Sequence, residues 1–202
     1  MEILKLHPIN PETRKLETLY HVLNQNGLAL LPTDSGYSLA CLPTSSKALQ
    51  RIYQLKKHDK KYQMSLLVQS FNSITHFAQL DNVAFKTLKA HCPGPYTWIL
   101  PATHQGRKLL EVKRPTMGIR FPNSILFTQL EASGLMPLIS TSAVVASEEY
   151  QINPDDLVSE YKNTADILVD MGPIFRSPTT IISFERGISE VVRLGQGTWQ
   201  QP

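Results

Sequence analysis

Apolar residues recur along this chain in two rhythms. Leu16, Leu19, Tyr20 and Leu23 fall at i, i+3, i+4 and i+7, the spacing that gathers side chains on one helical face. Asn10 offers a cap, Pro11 a preset first turn and Glu12 a charge suited to a helix N-terminus, and Gly27 ends the segment. A second helix opens at Ser45 or Ser46, with Ala48, Leu49, Ile52 and Leu55 inward. Asp81 caps a third, which runs to Ala90 and stops before Pro93-Gly94-Pro95. A fourth begins near Ser124 and ends at Gly134, and Asn153-Pro154-Asp155-Asp156 repeats the opening of the first.

The second rhythm is the short apolar run. Leu28 to Leu31, stopped by Pro32, has strand length, and so do residues 64–68, 97–101, 117–121, 138–141, 167–169, 180–184 and 191–193. Residues 104–115, with Arg107, Lys108, Lys113 and Arg114, read as a mobile basic loop. Strands alternate with helices at first and cluster toward the C-terminus. That order predicts an α/β fold, a twisted mixed parallel and antiparallel sheet with flanking helices, in a single domain over residues 1–202.

Composition narrows the class. With 42% hydrophobic residues, 18% charged residues and a net charge of +3 over 202 residues, the chain can build a core and is not a disordered tail. Cys41 and Cys92 are the only cysteines, which excludes a disulfide scaffold and suits a reducing compartment. No apolar run approaches the roughly 18 residues that cross a bilayer, and the first eight residues lack a secretory layout, so a cytoplasmic protein without a membrane partner is expected. The basic excess sits in the first half: residues 1–101 hold 11 Lys and Arg against 6 Asp and Glu, and residues 102–202 hold 9 against 11. Within it, residues 47–61 carry Lys47, Arg51, Lys56, Lys57, Lys60 and Lys61 against Asp59. Such a cluster fits either an anionic ligand or nucleic acid, or a solvated helix end.

The chain has no P-loop, no Gly-x-Ser-x-Gly elbow and no zinc spacing among its six histidines, and Ser159-x-x-Lys162 stands alone as a chance match. Small polar patches remain where apolar strands end. Thr33-Asp34-Ser35-Gly36-Tyr37 follows the first strand and reads as a turn or as a site at a strand end. Arg120 lies inside an apolar strand, where it needs either a structural salt bridge or a ligand's carboxylate. Ser140-Thr141-Ser142 and Thr179-Thr180 supply hydroxyls, and Arg193 closes the last strand. This cationic, hydroxyl-rich set shows no acid–base dyad, which favours chemistry by positioning and electrostatics over a side-chain nucleophile.

Seven ordered segments resemble the YrdC family, makers of threonylcarbamoyl-adenylate for tRNA modification, and within it the YciO branch. They are Pro32-Thr33-Asp34-Ser35-Gly36-Tyr37, Leu55-Lys56-Lys57-His58, Pro93-Gly94-Pro95-Tyr96-Thr97, Gly118-Ile119-Arg120-Phe121-Pro122, Ser140-Thr141-Ser142-Ala143, Pro178-Thr179-Thr180-Ile181 and Val192-Arg193-Leu194-Gly195. The resemblance implies a concave basic surface and a pocket for threonine, bicarbonate and ATP. Thr33, Arg120, Ser140 and Thr179 fall where the family holds threonine; Lys56, His58, Ser142 and Arg193 fall where it holds ATP or an AMP-like nucleotide, with Mg²⁺ accompanying ATP.

Three departures stand out. A family Lys-x-Arg is Lys56-x-His58, a family Ser-x-Asn is Ser142-x-Val144, and a family His is Gln69. The resemblance therefore implies either a divergent L-threonylcarbamoyladenylate synthase, a nucleotidyltransferase, or a double-stranded RNA- or tRNA-binding protein of the same fold. A third reading keeps the pocket for another amino acid or acyl-adenylate.

Overall fold

The computed structural model describes residues 1–56, 64–109, 115–143, 151–175, 177–185 and 187–200. Its centre is a ten-stranded sheet. The strands, numbered along the chain, are β1 (Glu2–Lys5), β2 (Ala29–Thr33), β3 (Gly36–Cys41), β4 (Ser65–Leu67), β5 (Tyr96–Pro101), β6 (Thr116–Arg120), β7 (Leu138–Ser142), β9 (Ile167–Asp170), β11 (Thr180–Ser183) and β12 (Glu190–Arg193). Their order across the sheet is β1-β9-β2-β3-β7-β4-β6-β5-β11-β12. The pairs β1/β9, β2/β9, β4/β6 and β5/β11 are parallel and the others antiparallel, which is the mixed sheet expected. A separate ribbon joins β8 (Gln151–Ile152) to β10 (Ile174–Phe175).

The helices are α1 (Thr13–Asn24), α2 (Ser46–Leu55), α3 (Phe71–Phe77), α4 (Asn82–His91), α5 (His104–Leu109), α6 (Ile125–Ala132) and α7 (Pro154–Tyr161). Leu16, Leu19 and Leu23 of α1 are buried with Leu126, Phe127 and Leu130 of α6 against Leu31, Leu67, Leu138, Ile167 and Val169. Ala48, Leu49 and Ile52 of α2, Ala84 and Leu88 of α4 and Leu157 of α7 join Leu30, Leu39, Leu66, Ile119, Ile139 and Leu168 in a second cluster. Side chains alternate between sheet faces along a strand, so these two clusters lie on opposite faces. Asp81 caps α4 by accepting the Ala84 N–H at 2.7 Å, as its sequence position predicts.

Four local expectations are corrected. Helix α1 starts at Thr13 with Glu12 at the cap position, because the His7 ring already takes the N–H groups of Ile9 and Asn10 and turns the chain before the helix. Pro32 does not stop β2: pairing with β9 covers only Ala29 and Leu30, so the strand continues beside β3, where Pro32 faces Tyr37. Residues 104–109 form α5 instead of a loop, with Thr103 Oγ1 accepting the Gly106 N–H at 3.1 Å; residues 110–114 lie outside the described residues. Strand β3 and helix α3 have no counterpart in the sequence reading.

Candidate functional site

The segment joining β2 to β3 is a turn, and two of its residues line a cavity. Thr33 pairs with Gly36, and Gly36 sits at φ +121°, a conformation that favours glycine. The buried Thr33 hydroxyl is used within the turn, donating to the Gly36 carbonyl at 2.6 Å and accepting the Ser35 N–H at 3.2 Å. The turn thereby presents Ser35 and Gly36 to a cavity of about 290 Å³, while Thr33 itself does not line it.

That cavity collects side chains from strands far apart in sequence. Arg120 of β6, Ser140 and Ser142 of β7, Thr179 before β11 and Arg193 of β12 all line it, as do Ser65 of β4, Thr97 of β5 and Gly118 of β6. Strand register explains the depth of the floor. Gly118 stands opposite Ser65, and Ser65 opposite Ser140, a row of three small residues across β6, β4 and β7. They share their face with Leu67 and Leu138, which belong to the cluster containing α1 and α6.

Arg120 resolves one alternative left open by the sequence. Its Nη2 donates to Asp34 Oδ1 and to Ser35 Oγ, both at 2.8 Å, so a structural salt bridge is present. The second Asp34 oxygen accepts the Asn123 N–H at 3.0 Å, tying the turn to the segment after β6. Burial pulls the Arg120 pKa down from its ordinary value, and the Asp34 carboxylate opposes that shift. The guanidinium is 8% exposed, and its buried Nε–H has no partner among the described residues. Arg120 is therefore anchored through Nη2 in the wall of the cavity that it lines.

The remaining predicted residues are placed as follows. Thr179 shares a 2.7 Å hydrogen bond with Thr97, and its carbonyl accepts from Arg193 Nη2 at 2.9 Å. The Ser140 hydroxyl donates to the Ser65 carbonyl at 3.5 Å. Lys56 follows α2, outside the cavity lining, and its Nζ donates to the Ser142 carbonyl at 2.7 Å. His58 and Val144 lie outside the described residues. Gln69 donates its amide to the Pro122 carbonyl at 2.8 Å and does not line the cavity. Within the basic cluster, Arg51 turns inward to Asp166 at 2.7 Å and to the Thr164 carbonyl, while residues 57–61 lie outside the described residues. Among the described residues, two arginines and no carboxylate line the cavity, so it suits ligands carrying negative charge.

The sequence reading assigned no binding role to Ser35, Ser65, Thr97 or Gly118, all of which line the cavity. The signal existed for Ser65 in Met64-Ser65-Leu66-Leu67-Val68, where a polar residue interrupts an otherwise apolar run.

The family model for Sua5, YciO and YrdC, described as "Telomere recombination", matches residues 21–195. The chain belongs to the Sua5/YciO/YrdC family. The uncharacterized protein YciO of Escherichia coli (strain K12) is 32% identical over 195 residues, 95% of this chain and 94% of that protein. The crystal structure of E. coli YciO superposes with a TM-score of 0.87 at 30% identity, covering 98% of each chain. Threonylcarbamoyl-AMP synthase of Methylobacillus flagellatus is 28% identical over 130 residues, 64% of this chain and 72% of that enzyme. The fold also matches P. abyssi Sua5 complexed with L-threonine, with a TM-score of 0.84 at 20% identity over 96% of this chain and 58% of that one. No helix among the described residues is long and apolar enough to cross a membrane.

Proposed function

We propose that this family member binds threonine and ATP together in the cavity and forms L-threonylcarbamoyl-AMP. The observation that carries the reading is the convergence of Arg120, Arg193, Ser140, Ser142 and Thr179 on one cavity, with no carboxylate among its described lining residues. Arg120, a guanidinium in the cavity wall, suits a ligand carboxylate. Arg193 and Lys56, near Ser142, supply the positive charge that a triphosphate needs.

In the proposed reaction the threonine amine condenses with bicarbonate, losing water, to give a carbamate. A carbamate oxygen then forms a bond to the α-phosphorus as the bond to pyrophosphate breaks. No Cys, His, Asp or Glu is among the described lining residues, so in this reading the residues serve by holding both substrates and spreading charge. Magnesium, brought in with ATP, would supply positive charge against the leaving pyrophosphate. Among the described residues no three His, Cys, Asp or Glu side chains form a metal cluster of their own.

The test is pyrophosphate release with ATP, magnesium, bicarbonate and threonine. The expected result is a threonine-dependent signal that Arg120→Ala lowers about ten- to a hundredfold, the loss of one charged hydrogen bond. No threonine-dependent release by the unaltered protein overturns the reading. Salt-sensitive retention of duplex RNA or tRNA by that inactive protein would put nucleic-acid binding in its place.

A further inference from the structure

Thr179 and Thr180 are adjacent hydroxyls that face opposite ways. Thr179 and Ile181 line the cavity, so Thr180 between them turns to the reverse face, beside Ile182 and its register partner Tyr96. Thr180 is fully buried there, and its hydroxyl is spent on the C-terminal segment. It accepts the Gly195 N–H at 2.9 Å and donates to the Gly197 carbonyl at 2.6 Å.

Those two bonds belong to a latch. The Gln196 N–H donates to the Pro178 carbonyl at 2.8 Å, and the Tyr96 hydroxyl donates to the Thr198 carbonyl at 2.8 Å. Trp199 closes the latch, half-buried, with its ring 5.2 Å from that of His91 and 6.2 Å from that of Trp98. The two glycines allow so close an approach. A Cβ on Gly195 would lie 2.2 Å from the Pro178 carbonyl oxygen, and one on Gly197 would lie 2.4 Å from the Tyr96 ring.

What the latch holds is the strand before it. Strand β12 ends the sheet order, all four of its residues are exposed, and its pairing with β11 shifts register between Ile181 and Ile182. Arg193 is its last residue, stands opposite Ile181 and lines the cavity, with Nη2 donating to the Thr179 carbonyl at 2.9 Å. An exposed four-residue strand on an irregular ladder supplies little burial to fix an arginine. The bond from the Gly195 N–H to Thr180, two residues further on, continues the attachment where the strand stops.

We infer that Thr180 is a positioning residue for Arg193: by latching the C-terminal segment to the reverse face of the sheet, its hydroxyl holds the guanidinium in the cavity wall for the phosphates of the nucleotide. This rests on the ATP-binding reading above and gives a role to a residue that does not line the cavity.

Calorimetric titration of ATP into the full chain and its variants tests the assignment. Arg193→Ala weakens ATP about ten- to a hundredfold, the loss of one charged hydrogen bond. Thr180→Val, which keeps the shape and removes the hydroxyl, weakens ATP about tenfold, and Thr180→Ser keeps the affinity of the unaltered protein. On the Arg193→Ala background Thr180→Val costs nothing further, because it acts through that guanidinium. Circular dichroism reports that each variant is folded. Should Thr180→Val not fold, Trp199→Ala, at the half-buried end of the latch, takes its place with the same expected results. Full ATP affinity in the folded variant, or an equal further loss on the Arg193→Ala background, overturns the positioning role and leaves the ATP reading standing. If the unaltered protein does not bind ATP, both are overturned.

Discussion

Asp34 uses its two carboxylate oxygens on two different elements. One accepts from Arg120 and the other from the backbone of Asn123, and the Asp34 side chain is only 11% exposed. Its position suits a positioning residue, which fixes the guanidinium of Arg120 in the cavity wall. Removing one member of a buried pair leaves the other charge uncompensated, at a cost of about 3–5 kcal/mol. Asp34→Ala should therefore lower the unfolding free energy in urea by about 3 kcal/mol or more, and Asp34→Asn, which keeps one acceptor, by clearly less. Full stability in Asp34→Asn would mean that the charge on Asp34 is irrelevant to Arg120. At this scale the sequence was partly legible. A lone arginine in Met117-Gly118-Ile119-Arg120-Phe121 announced itself as a buried charge in need of a partner, but its partner is 86 residues away and could not be read from spacing. Thr33 was read in a turn or in a site at a strand end, and its hydroxyl closes its own turn, because a two-residue connection leaves backbone groups that the nearest side chain satisfies.

Among elements, Asp166 at the start of β9 is the joint. Its carboxylate accepts the Leu28 N–H at 2.7 Å and the Arg51 guanidinium at 2.7 Å, linking β9, the entry to β2 and helix α2. Burial raises the pKa of this carboxyl, but the hydrogen bonds from Arg51 and Leu28 outweigh burial and hold it below the ordinary carboxylate value. A carboxyl with a depressed folded-state pKa contributes stability that is fully present above the unfolded pKa, about 4, and is lost as pH falls through the folded value. Thermal melts across that acid range should show Asp166→Asn flattening the loss seen in the unaltered chain. At neutral pH the same variant should be less stable by about 1 kcal/mol, a modest figure because the pair is partly open to solvent. A parallel acid profile in the two proteins would count against this joint. The elements visible in the sequence were those with a period: α1, α2 and α4 each carry buried residues at helical spacing. Strand β3 was missed because all six of its residues are buried, so nothing alternates, and its first residue looks like the end of a turn. The six-residue α5 is too short for its period to be counted and contains Gly106, whose Cβ would strike the Phe77 carbonyl.

For the molecule as a whole, the mixed α/β class followed from the order of the elements, whereas the sheet order did not. Strands β6, β4 and β7 are neighbours in space but not in sequence, and no local pattern encodes that adjacency. The two cysteines offer a probe of the assembled molecule. Cys41, in the buried β3, and Cys92, after α4, both have thiols pushed up to about 12, chiefly by burial. Near pH 8 both should react slowly with a thiol reagent in the folded protein and rapidly in denaturant, since the thiolate is the reactive form. Fast labelling of Cys41 under native conditions would contradict the packing of the central strands. That packing also bears on how faithfully the chain must fold. Moving one position along each of the three neighbouring strands replaces Gly118, Ser65 and Ser140 by Ile119, Leu66 and Ile139, all fully buried on the reverse side. A strand misaligned by one residue would turn its binding surface into greasy wall and send its core residues into the cleft. Correct alignment of these strands and a usable cleft are thus inseparable: a chain that recovers its ligand after refolding has also recovered its hydrogen-bond ladder.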